Sequence, residues 1–267
     1  MARMQVDTAD MDGSLRHAGE AWMLGIDLAW GERRPDGVAL LHATRDGATW
    51  QGGGLVQGDD ALMAWIRQRI PDGAAVLAAV DAPLVCPNET GSRPVDRETH
   101  RWFGRQHAGC HPSNGRLCRR PLRIASLLRA GGFDLGWDMA CRRQAAEVFP
   151  HPAMVRWFGL QHVLKYKRPP VARRRAEFLR CRQLLGSLLG REFAGLKAHA
   201  EVDALLGTPW SKPAEDRLDA FMCALMAWWH WRDGGARTQV LGDVETGFVL
   251  VPGAADGIDR CPTPGPA

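Results

Sequence analysis

Five acids occupy positions where an acid is either costly or well placed to act with another: Asp27, Asp81, Glu147, Asp216 and Asp219. Asp27 interrupts the apolar run Ala21-Trp22-Met23-Leu24-Gly25-Ile26-Asp27-Leu28-Ala29-Trp30. An ionised carboxylate among buried aliphatic side chains is unfavourable unless something pairs with it or binds it. Asp81 stands at the C-terminal end of a second apolar run, 74–83, which Pro83 stops. Two such carboxylates brought together repel each other unless a cation lies between them. A hard divalent ion, Mg²⁺ or Mn²⁺, suits an all-oxygen set better than zinc does.

The elements that must position these acids are readable from hydrophobic pattern. The run 22–30 is apolar on both faces, as a central strand is. Turns at 34–37 and 45–47 link it to strands at 38–41 and near 48–50, an antiparallel meander. A helix follows, starting at Asp59-Asp60, with Leu62, Trp65, Ile66 and Ile70 at helical spacing. Strands at 74–83 and 144–149 then complete the sheet. Right-handed crossovers make strands one, four and five parallel and leave the C-terminal ends of one and four adjacent. Ligands bind beyond those ends in such sheets.

A third ligand is expected from the last major helix, capped by Ser211 or Lys212 with Pro213 in its first turn. Its stripe of Leu218, Phe221, Met222, Leu225, Trp228 and Trp229 faces the core. Asp219 lies at the border of that stripe, with Asp216 about one turn earlier. Glu147, in strand five, is a fourth candidate. Blander roles compete: helix first turns favour acids such as Asp216 through the dipole alone, Asp81 can cap a turn, and Glu147 can pair with an arginine.

The remaining chain reads as one domain over 21–253, with disordered tails at 1–20 and 254–267. A segment at about 86–120, rich in Gly, Pro, His and Arg and lacking clean periodicity, reads as a loop or insertion rather than a core element. A short helix is expected at 122–128, others near 152–158, 171–189 and 194–206, and a hairpin at 238–241 and 248–251. Composition is that of a soluble globular protein, at 45% hydrophobic and 24% charged residues. The seven scattered cysteines contain no Cys-x-x-Cys pair, which points away from a disulfide framework or zinc finger and toward a reducing, cytoplasmic setting. The longest apolar stretch, 221–231, is too short to span a bilayer.

Positive charge gathers in two places. The 86–120 segment carries Arg93, Arg97, Arg101, Arg105, Arg116, Arg119 and Arg120; a second stretch carries Lys165, Lys167, Arg168, Arg173, Arg174, Arg175, Arg180 and Arg182. Clustered cations suit a nucleic acid or another phosphate-rich ligand, although a solvated helix face produces the same pattern. Arg93, His107 and His111, with Lys165 and Lys167, are the candidate substrate-binding residues. His100, His107 and His111 with Cys110 and Cys118 show no zinc-ligand spacing.

Several motifs together resemble the DUF429 family: Gly25-Ile-Asp-Leu-Ala-Trp30, Val80-Asp-Ala-Pro-Leu84, Glu147-Val-Phe-Pro150, Lys165-Tyr-Lys167 and Asp216-Arg-Leu-Asp-Ala220. Segments 87–93, 103–109 and 242–252 extend the likeness over about 22–252. The resemblance implies an α/β, RNase H-like fold: a mixed sheet, antiparallel over strands one to three and parallel over one, four and five, flanked by helices. It also implies a predicted nuclease, with Asp27, Asp81 and Asp219 as the acidic site. Two metal ions about 4 Å apart would then activate water and stabilise the leaving oxygen of a phosphodiester.

The leading expectation is metal-dependent phosphodiester hydrolysis on DNA or RNA. A non-catalytic RNase H-like module that binds nucleic acid is the alternative. An ATP-dependent phosphotransferase fits less well, because Leu28-Ala29-Trp30 stands where glycine and hydroxyl residues are needed. No Gly-x-Ser-x-Gly, His-Glu-x-x-His or Walker motif offers another chemistry.

Overall fold

The computed structural model describes residues 13–254. The first three strands are β1 (Glu20–Asp27), β2 (Asp36–Thr44) and β3 (Ala48–Val56), followed by α1 (Asp59–Arg69) and β4 (Val76–Val80). Next come α2 (Pro94–Phe103), α3 (Arg119–Ala130), β5 (Asp134–Leu135), β6 (Arg143–Glu147) and α4 (Pro150–Phe158). The chain continues through α5 (Val171–Glu192), α6 (Ala194–Lys197), α7 (Ala200–Gly207) and α8 (Lys212–Arg232), and ends in a hairpin of β7 (Thr238–Asp243) and β8 (Gly247–Pro252).

Six strands form one mixed sheet in the order β3-β2-β1-β4-β6-β5. β1 runs antiparallel to β2 and parallel to β4, β2 is antiparallel to β3, and β6 is parallel to β4 and β5. The α/β, RNase H-like arrangement expected from the motifs is therefore the one adopted.

Pleating divides the sheet into two cores. Met23, Leu41, Leu77 and Ala146 pack on the face covered by α8, α4 and α5. Leu24, Ile26, Leu40, Val76, Val80 and Ala145 pack on the opposite face, against α1 and α3. Gly25 and Asp27 alternate with Leu24 and Ile26, so they face α8.

Helix α8 carries the packing of the first face. Ser211 caps it by accepting from the Ala214 N–H at 3.2 Å, with Pro213 in the first turn. The expected amphipathic stripe is too narrow a description: every residue from Ala214 to Trp231 except Arg217 is buried. Two glycines let its backbone lie against the sheet. A Cβ on Gly25 would sit 2.0 Å from the Ala220 carbonyl oxygen, and one on Gly37 would sit 2.1 Å from that of Asp216.

Three further expectations change. Segment 86–120 contains α2, whose Val95 and Phe103 are fully buried and which packs against β7 and β8. It contributes to the core, and its helical period was obscured by the buried polar residues Asp96 and Thr99. The expected N-terminal tail, 1–20, also extends too far along the chain: Leu15 is fully buried, and its N–H donates to the Cys141 carbonyl. The 194–206 region is two short helices rather than one. Residues 1–12 and 255–267, which hold the rest of the expected tails, lie outside the described residues.

The backbone contact at Gly25 has a direct consequence. Gly25→Ala should destabilise the fold by about 3 kcal/mol, the upper range for overpacking, because the obstructing atoms are main chain. Urea denaturation measures this, and a wild-type midpoint would contradict it.

Candidate active site

The sheet's own geometry brings three of the predicted acids together. Asp27 ends β1 on the α8 face, and Asp81 follows β4, its N–H donating to the Ile26 carbonyl at 2.9 Å. Asp219 comes down from α8, one residue from Ala220, which touches Gly25. Asp27 is register-paired with Gly37, where Asp216 passes overhead.

Their charges are unequal to the cations near them. Asp219 is fully buried and takes a hydrogen bond from the Tyr166 hydroxyl at 2.6 Å, while Lys167 Nζ lies 2.6 Å from its other oxygen. Burial works against the charge of Lys167, but Asp219, Asp27 and Asp81 outweigh it and hold the ammonium pKa well above the usual lysine range. Burial raises Asp27 well above an ordinary aspartate; Lys167 opposes the shift, and Asp219, Asp81 and Asp216 add to it. Burial likewise pushes Asp81 up to about 7, with Lys167 opposing and Asp219 reinforcing. Asp216 is occupied separately, 2.7 Å from Lys212.

Glu147 does not join them. Its register partner is Val80, which belongs to the core on the opposite face of the sheet from Asp27. There it pairs with Arg93 through both oxygens, at 2.7 and 2.8 Å, and accepts from the Leu84 N–H. Arg93, expected to reach a substrate phosphate, is 1% exposed and also binds Asp96 at 2.9 Å. Asp96 in turn accepts from the Arg93 and Ser113 N–H groups. This buried triad ties α2 and the loop at 111–113 to the sheet, so Arg93 and Glu147 are structural here. Arg120, counted among the basic residues of the segment, is likewise buried against Asp36 and Asp59 at 2.6 and 2.8 Å.

Two large clefts flank the acids, beside a small one of about 50 Å³ bordered by Asp81, Trp30 and Glu147. One, about 690 Å³, lies over the loop after β1 and is bordered by Asp27, Trp30, Arg33, Arg34, Lys212 and Asp216. Trp30 is 39% exposed. The other, about 430 Å³, is reached through Lys167 and includes the expected His107, His111 and Lys165. Tyr166, Trp30, Lys212 and His151 carry no site role in the sequence reading, although Lys212 is a candidate helix cap there and the Lys-Tyr-Lys motif already places Tyr166 beside a candidate lysine.

As a metal site the donor chemistry fits, with acidic oxygens in excess of positive charge. Among the described residues, however, no group of three or more His, Cys, Asp or Glu is arranged to hold an ion. The ammonium of Lys167 stands among the carboxylates instead, paired with Asp219 and only partly offsetting the other two.

The chain matches the family model described as "Protein of unknown function (DUF429)" over residues 25–246, and it belongs to that family. No curated protein and no solved structure matches it.

Two outcomes follow from this geometry. Arg93→Ala leaves Glu147 and Asp96 buried without their partner and should cost about 3–5 kcal/mol in urea denaturation; a cost near zero would show the triad to be dispensable. The charged groups that act on Asp81 are Lys167, Asp219, Glu147 across the sheet, and Lys212. Because its folded pKa is raised, its contribution to stability is complete below the unfolded value of ~3.9 and is lost as pH rises through about 7. In chelator-treated protein, Asp81→Asn should therefore flatten the decline in Tm between pH 5 and 8. A parallel decline in both proteins would contradict it.

Proposed function

We propose that this DUF429 protein is a metal-dependent phosphodiesterase acting on DNA or RNA, with Asp27, Asp81 and Asp219 as its acidic centre. The observation that carries the reading is the meeting of these three carboxylates around Lys167 at the C-terminal ends of β1 and β4. Burial raises the pKa values of Asp27 and Asp81 and Lys167 offsets this only in part, so a divalent cation would supply the positive charge that favours their ionised forms.

Asp27, Asp81 and Asp219 would hold Mg²⁺ or Mn²⁺, with Asp216 at the border. A bound ion of this kind activates water and stabilises charge on a phosphodiester. Lys167 is 31% exposed, so its ammonium has a route away from the acids toward solvent and substrate. Tyr166 holds one oxygen of Asp219 and fixes the direction in which the other points. Exposed Trp30 offers a face on which a base can stack. Arg97, Arg101, Arg105, Arg116 and Arg119, together with Arg173, Arg175 and Arg180 on α5, remain exposed for phosphate contact.

The second reading, a non-catalytic nucleic-acid-binding module, is favoured by one observation: Lys167 already neutralises Asp219 at 2.6 Å.

The test compares wild-type protein with Asp27→Asn on single- and double-stranded DNA and RNA, with Mg²⁺, Mn²⁺ or chelator. Metal-stimulated cleavage that falls at least about 100-fold in Asp27→Asn is expected. Equal background cleavage by both proteins on every substrate, with salt-sensitive binding unaffected by the substitution, selects the binding module instead.

A further inference from the structure

The cleft beside the acidic centre differs from it in the sign of its charge. Its polar lining consists of Lys165, Lys167, Arg168, His107, His111 and His151, with His100 at the edge and no acid among the residues that border it. Lys167 belongs to both places: it borders this cleft and reaches Asp219 at 2.6 Å.

The charge count indicates which anion fits. The positive charge of Lys167 is committed to the carboxylates. Lys165 and Arg168 have no carboxylate within ion-pair distance among the described residues. Glu177 meets only the Lys165 backbone N–H, at 3.4 Å. Lys165 Nζ instead donates to His107 Nδ1 at 2.9 Å. Two uncompensated cations facing one cleft match a dianion. A phosphodiester carries a single charge, whereas a phosphomonoester carries about −1.5 to −2 near neutral pH.

His107 and His151 complete the lining as neutral hydrogen-bonding groups. Lys165 lowers the His107 pKa, and burial pushes His151 down to about 3. His107 adopts a left-handed backbone with φ of 57°, which a non-glycine residue seldom takes without surrounding support. Behind it, Gly109 leaves room for the His100 ring, where a Cβ would come within 2.7 Å. The cleft is thus built by the loop 104–111 on one side and by 163–168 on the other.

We propose that this cleft binds the terminal phosphomonoester of a nucleic-acid strand, setting the linkages next to that end beside Asp27, Asp81 and Asp219. The inference rests on the nuclease reading for its substrate, but the binding step does not require cleavage. It predicts a protein that acts near phosphorylated ends rather than at random along a strand.

Fluorescence anisotropy on metal-free Asp27→Asn protein tests it. The probes are single-stranded oligonucleotides identical except for a 5′-phosphate, a 3′-phosphate or hydroxyls at both ends, with inorganic phosphate as competitor. One phosphorylated form should bind about tenfold more tightly than the hydroxyl form, and which one does so identifies the end. Lys165→Gln and Arg168→Gln, both substitutions of accessible side chains, should each remove most of that preference, and inorganic phosphate should compete for it. Equal affinity for all three probes overturns the proposal, as does a phosphate preference that survives both substitutions. A phosphate preference in a protein that cleaves nothing with metal would retain the cleft and discard the nuclease.

Discussion

The contact on which the rest depends is backbone against backbone, where α8 lies on β1 and β2 at Gly25 and Gly37. A helix resting on ordinary side chains is held off a sheet by their bulk. Here two missing Cβ atoms bring the α8 main chain down onto the strands. The apolar length of α8, buried on every side and ending in Trp228, Trp229 and Trp231, holds it in that position. Asp219 and Asp216 then arrive beside Asp27 as a consequence of packing. The glycine of the Gly-Ile-Asp motif is as much a part of the site as the aspartate that follows it.

That approach creates an electrostatic problem which the 165–168 segment answers. Burial, reinforced by the neighbouring carboxylates, raises the pKa values of Asp27 and Asp81, and Lys167 offsets this without cancelling it. Tyr166 and Lys167 divide the two oxygens of Asp219 between them. A site left short of positive charge is less stable than a neutral one, and such imbalance is the usual mark of a group kept for binding rather than for folding.

Around this centre, buried ion clusters hold the loops in place. Arg93 joins Glu147 and Asp96 on the far side of the β6 end, and Arg120 joins Asp36 and Asp59 beneath the loop after β1. Removing one partner from such a cluster is costly, whereas the intact cluster contributes mainly to defining a single loop conformation. The cations that look most like phosphate ligands in the sequence are therefore of two kinds. Arg93 and Arg120 brace the frame, while Lys165 and Arg168 face open space.

Much was legible without coordinates, for identifiable reasons. Apolar runs at 22–30 and 74–83 dictate buried strands, short turns dictate the antiparallel meander, and strand polarity places Asp27 and Asp81 at one edge. The helical spacing around Asp219 marked it as the third acid. Register and pleat were not legible: whether Glu147 faces Asp81 or the opposite core depends on its pairing with Val80, which no local pattern encodes. The helix in 86–120 was hidden because its buried face holds Asp96 and Thr99, polar groups satisfied only by distant partners. The sequence by itself determined the elements and the acids at their ends, since these follow from local burial and turn chemistry. The tertiary structure alone decided which cations answer those acids, because a lysine about fifty residues from Asp219 reaches it only after α5 and α8 have packed.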